Sequence, residues 1–156
     1  MGRALSLSRT KLLVGVFFYN PPDSDYNTLI QLKGSLASIK SNSPVVLCGD
    51  FNMPGIDWSN LSPSPNANSK EAVLLCDIVS DFSLQQLVLE ETRGTNILDL
   101  LLTNMADYFK GVEVTDGLPG ADHNAIEFTI DLTRKCALRR KRLSYNFKRA
   151  DFDLYS

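Results

Sequence analysis

An α/β domain is predicted by three features of the 156-residue sequence. Two apolar runs, Leu12 to Tyr19 (LLVGVFFY) and Val45 to Cys48 (VVLC), suit strands buried on both faces. Between them Leu29, Leu32, Leu36 and Ile39 recur at three- and four-residue steps, which gives a helix one apolar face. Strand, helix and strand make a β-α-β unit, so the two strands should run parallel.

Each element has its own start and stop. Asn20-Pro21-Pro22-Asp23 ends the first strand, because neither proline can donate to a ladder. Ser24 is placed to cap a helix that runs to about Ser41, weakened slightly by Gly34. Asn42-Ser43-Pro44 ends that helix and feeds the Val45 strand, which stops at Gly49. Pro54 to Ser69 is rich in Pro, Ser and Asn and reads as an exposed loop, with Trp58 anchoring it and Asp57 turning it. Ser69 and Glu71 open a second helix to about Phe82, with Val73, Leu74, Ile78 and Phe82 inward. Leu84 to Leu89 is extended, and Glu90 to Asn96 is a turn. Ile97 to Leu102 is a buried strand with Asp99 in its middle. Gly111 to Thr115 is a strand exposing Glu113, Asp116 to Gly120 is a tight loop, and His123 to Leu132 alternates as a last strand.

Composition excludes several classes. A hydrophobic content of 44% is enough for a core and argues against global disorder. No apolar run reaches the ~18 residues of a membrane span, and the first residues lack the order of a signal peptide. Three widely spaced cysteines fit neither a disulfide framework nor a zinc site, so Cys48 and Cys76 read as reduced core residues. An intracellular location follows. Charge is uneven: residues 134–156 carry eight basic and two acidic side chains, whereas residues 1–133 carry eight and sixteen. The basic stretch suits nucleic acid or nuclear import, so a nuclear address is open; a solvated linker is the plainer reading.

Three positions carry candidate chemistry. Asp50 and Asn52 follow the Val45 strand, at the carboxyl end where α/β sheets bind ligands. Asp50 could hold a cation or a water and Asn52 could donate to a phosphate oxygen; alternatively both bond only local backbone in an Asx-type turn. Asp99 interrupts an apolar strand and must be paired there, since an isolated buried charge is very costly. His123, the one histidine, follows Asp122 at the mouth of the last strand. An imidazole backed by a carboxylate can hold or pass a proton near neutral pH.

With these residues in view, GDFN (Gly49 to Asn52), ILDLLLTN (Ile97 to Asn104) and GADHNAI (Gly120 to Ile126) resemble the endonuclease/exonuclease/phosphatase family. The likeness is to the apurinic-type endonuclease domain of non-LTR retrotransposons. FFYNPPDSD at Phe17 to Asp25 and YNFKRADFD at Tyr145 to Asp153 add to it. The resemblance implies a four-layer α-β-β-α sandwich with a mixed sheet and flanking helices. It implies Mg²⁺-dependent hydrolysis of DNA in the intact parent, with Mn²⁺ as a substitute ion and a reverse transcriptase domain as partner. By the same resemblance Asp50 positions or deprotonates the attacking water, and Asn52 contacts the phosphate. His123 stabilises the transition state, oriented by Asp99; Asp122 stands beside the metal, and Tyr19 reaches the phosphate.

The chain departs from the family pattern in three places. The half that supplies an early Asn and the metal-binding Glu is not found before the first strand. Ala121 stands where a serine is usual, and Pro22 stands about where repair enzymes have an asparagine. Residues 1–133 are therefore expected to be the carboxyl-terminal portion of an incomplete sandwich, with 134–156 a basic tail or linker toward the reverse transcriptase. Leaving ~1000 Å² of apolar sheet uncovered forfeits roughly 25 kcal/mol of gross burial energy, against a net stability of only ~5–15 kcal/mol. Self-association through that face, or dependence on a partner, is expected, and the chain reads as a truncated retroelement remnant of weak or no activity. Two rivals stand beside the nuclease: a non-catalytic remnant that binds nucleic acid through its tail, and a phosphoesterase acting on another substrate.

Overall fold

The computed structural model describes residues 14–21, 25–40, 43–64 and 70–131. The basic tail, Cys136, Pro22 and the expected caps Ser24 and Ser69 lie outside the described residues. The expected β-α-β unit is present: β1 (Val14–Tyr19), α1 (Tyr26–Ser38) and β2 (Val45–Asp50), with β1 and β2 parallel. β6 (Asp99–Thr103) pairs antiparallel with β2, and β5 (Gln85–Gln86) pairs antiparallel with β6. The sheet order is β1-β2-β6-β5, which is the mixed α/β sheet expected.

The helices cover one face of this sheet. Leu29, Leu32 and Leu36 of α1 and Ala72, Leu75 and Ile78 of α2 (Lys70–Asp81) share one core with Leu47, Leu100 and Leu102. The opposite face meets a hairpin of β7 (Phe109–Thr115) and β8 (Ala125–Ile130), which packs on Val46, Val88 and Leu101. The hairpin leaves part of that face open, and Phe17 and Tyr19 of β1 are 88% and 64% exposed.

Several boundaries differ from expectation, each for a physical reason. Asp25, not Ser24, caps α1: its carboxylate accepts from the Asn27 amide, and its charge suits the positive end of the helix. The helix stops at Ser38 instead of Ser41, where the Ser35 and Ser38 hydroxyls bond carbonyls of the last turns. The Pro54 to Ser69 segment is not loop throughout. Short β3 (Ile56–Asp57) and β4 (Ser62–Pro63) pair within it, Ile56 is buried, and Trp58 packs against the main core as expected. Val73 points outward because it lies about 160° around the helix from Leu75; Leu75, Cys76 and Val79 are buried instead. Asp99 opens its strand rather than interrupting it, and β8 begins two residues after His123.

Candidate active site

The site forms where β2 ends and β6 begins. Gly49 is required there: its φ is +144°, and a Cβ would lie 1.8 Å from the Phe18 carbonyl oxygen on β1. Phe51 then turns into the core, fully buried with its ring 4.7 Å from that of Phe18, and pins the motif to the sheet. Its neighbours Asp50 and Asn52 stay at the surface of the crevice, half-buried.

Asn52 takes a left-handed φ of 47°, which asparagine tolerates. Its backbone N donates to Asp50 Oδ1 at 2.9 Å, and its Nδ2 donates to Asp50 Oδ2 and to the Asn20 carbonyl at 3.0 Å each. The Asx-type closure therefore exists. It also aims the Asp50 carboxylate, because Oδ2 lies 4.0 Å from His123 Nε2.

His123 Nδ1 is 2.8 Å from Asp99 Oδ2, the geometry of an imidazole N–H donating to a carboxylate. Asp50 and Asp99 are register partners on adjacent antiparallel strands, which explains why residues 49 positions apart meet. Tyr19 is the register partner of Asp50 on its other side, at the rim. The structure thus brings Asp50, Asn52, Asp99, His123 and Tyr19 to one end of the sheet. Asp122 is not among the ligand atoms gathered there: its carboxylate lies 2.6 Å from the Arg93 guanidinium.

Two supporting residues escaped sequence reasoning. Thr92 has no exposed surface; its hydroxyl accepts from the Leu98 and Asp99 amides at 3.0 Å each, and its carbonyl accepts from the Asn124 amide at 2.8 Å. It ties the Asp99 strand to the His123 loop. Asn20 is buried, donates from Nδ2 to the Phe51 carbonyl, and its backbone accepts from Asn52. The only local signal was a polar residue beside a strand end, which turns supply everywhere.

Asp50, Asp99 and His123 each offer one ligand atom, all within 4.8 Å of one another. Two carboxylate oxygens suit a hard divalent cation, and an imidazole nitrogen suits a transition ion, so the donor set fits a metal without selecting one. Burial pushes the Cys48 and Cys76 thiols up, which keeps both protonated and unreactive.

The mixed sheet backed by two helices has the fold class of an endonuclease/exonuclease/phosphatase-type domain. The chain belongs to the endonuclease-reverse transcriptase family, whose model matches residues 13–127. Among solved structures it is similar to the endonuclease domain of TRAS1, a telomere-specific non-LTR retrotransposon, at 21% identity and a TM-score of 0.58. That match covers 75% of this chain and 55% of the other, so the chain spans about half the length of the structure it resembles. No curated protein matches it. Among the described residues, no helix is long and apolar enough to cross a membrane.

Proposed function

We propose that this chain is the site-bearing part of a retroelement endonuclease that nicks DNA. The observation that carries the reading is the line from Asp99 through the His123 ring to Asp50, with contacts of 2.8 and 4.0 Å. In this reading Asp50 orients a water against phosphorus and takes its proton. Asn52 and the Tyr19 hydroxyl hold non-bridging phosphate oxygens. His123 donates from Nε2 to the phosphoryl oxygen as its charge grows, while Asp99 keeps Nδ1 occupied and the ring oriented. Asp50 and Asp99 would hold a divalent ion, Mg²⁺ or Mn²⁺, which would supply further neutralisation of that charge. Water adds to phosphorus, the bond to the 3′ oxygen breaks, and that oxygen takes a proton from solvent, leaving a 3′ hydroxyl and a 5′ phosphate. The 3′ hydroxyl is the primer a reverse transcriptase partner needs.

Activity of this chain is expected to be weak. Among the described residues no glutamate joins the metal-capable cluster, and the sheet face carrying Phe17 and Tyr19 is open. That face is also where self-association is proposed. Plasmid nicking by the purified chain in Mg²⁺ tests the function. Nicking should vanish with a chelator and fall about 10²–10³-fold in His123→Ala, the loss typical of one electrostatic donor. Metal-independent nicking, or nicking indifferent to His123, overturns the reading. The basic stretch of residues 134–149 favours a second reading, nucleic-acid binding without cleavage. It predicts salt-dependent binding that disappears when residues 134–156 are removed.

A further inference from the structure

His123 is gripped from both sides by one short segment. The residue before it, Asp122, takes the Arg93 guanidinium at 2.6 Å. The residue after it, Asn124, donates from its backbone N to the Thr92 carbonyl at 2.8 Å and from Nδ2 to the Glu91 carbonyl at 3.3 Å. Residues 91, 92 and 93 therefore hold both chain neighbours of the imidazole.

That segment is well anchored. Arg93 and Asn96 exchange backbone hydrogen bonds at 3.1 and 3.0 Å across a two-residue turn. Gly94 supplies the positive φ, +58°, that the first central position of a type II′ turn needs. The Thr92 hydroxyl also holds the Asp99 amide, so the strand carrying Asp99 and the loop carrying His123 share one support. On the loop's other side Gly117 lies so close that a Cβ there would sit 1.9 Å from the His123 carbonyl oxygen. The backbone of His123 therefore has little room on that side.

We propose that Arg93 and Asp122 form a positioning clamp that sets the His123 ring on Asp99. Arg93 then acts through Asp122, the chain neighbour of His123, on the histidine's orientation, and neither residue touches the reacting atoms. The pair is solvent-exposed, with side chains 43% and 70% accessible, so its effect is modest. The proposal rests on the nuclease reading only for its catalytic consequence.

The test needs neither DNA nor metal. His123 is the only histidine, so its imidazole signals in the ¹⁵N-labelled full chain are unambiguous. The Nδ1 proton should exchange slowly with water. Arg93→Ala and Asp122→Ala should each speed that exchange about 1.5- to fivefold, the range to which an exposed ion pair's worth converts, whereas Lys33→Ala, which breaks the exposed pair with Asp81 elsewhere, should leave it unchanged. The charge swap Arg93→Asp with Asp122→Arg should restore slow exchange. Unchanged exchange in the single variants, a swap that restores nothing, or exchange that speeds equally in Lys33→Ala each overturns the clamp. A silent plasmid assay with this pattern intact sinks the nuclease reading and leaves the clamp standing.

Discussion

Thr92 and Asp99 illustrate how a buried hydroxyl decides where a charged group points. Thr92 offers two neighbouring amides an acceptor that the ladder does not provide, because β6 begins only at Asp99. Thr92→Val keeps the shape and removes the acceptor, leaving those two amides without it. Each unsatisfied buried group costs about 1–3 kcal/mol, so urea unfolding should show a loss of that order, while Thr92→Ser should recover most of it. Gly49 is constrained differently, by space. A methyl group there meets backbone, not a movable side chain, and the φ of +144° disfavours it as well. Gly49→Ala should destabilise by well over ~1 kcal/mol in the same assay.

The end of β2 works because of what pairs with it. β6 runs antiparallel to β2, so its first residue lies beside the last residue of β2. Asp99 therefore meets Asp50 at the crevice with its side chain only 20% accessible, and His123 Nδ1 at 2.8 Å is the partner that a carboxylate there requires. The β3–β4 turn uses its aspartate for structure alone. The Ser59 hydroxyl and then the Asn60 amide hold the Asp57 carboxyl down to about 2. A carboxyl depressed in the folded chain stabilises above its ordinary value near 3.8, and that contribution is lost as pH falls through about 2. Carboxyl ¹³C titration should place the Asp57 midpoint near 2, and Ser59→Ala should move it upward.

At the level of the assembled chain, the two faces of the sheet are unequal. The helix face is closed by a continuous leucine core, whereas the hairpin face leaves two aromatic rings of β1 in solvent. Fully burying such a side chain is worth about 1.5–3 kcal/mol, so the open face has reason to find cover. If self-association provides it, the sedimentation coefficient should rise with concentration in the wild type and stay flat in Phe17→Ser. A flat profile in both removes self-association from consideration.

The β-α-β unit, the apolar stripes and the GDFN loop were legible in the residues because each rests on local periodicity or local turn chemistry. Val73 and the β3–β4 pairing were not. The outward turn of Val73 depends on which stripe the sheet selects, and two-residue strands carry no period. The identities of Asp50, Asn52, Asp99 and His123 were legible as motifs. Their meeting depended on the antiparallel register of β2 with β6 and on the Thr92 tie. Asp122 shows the limit most clearly. The family resemblance sets it beside the metal, and its contact with Arg93, 29 residues earlier and 2.6 Å away, had no local signal. Short-range patterns write themselves into a sequence, whereas partners across the fold are selected only when distant strands have paired.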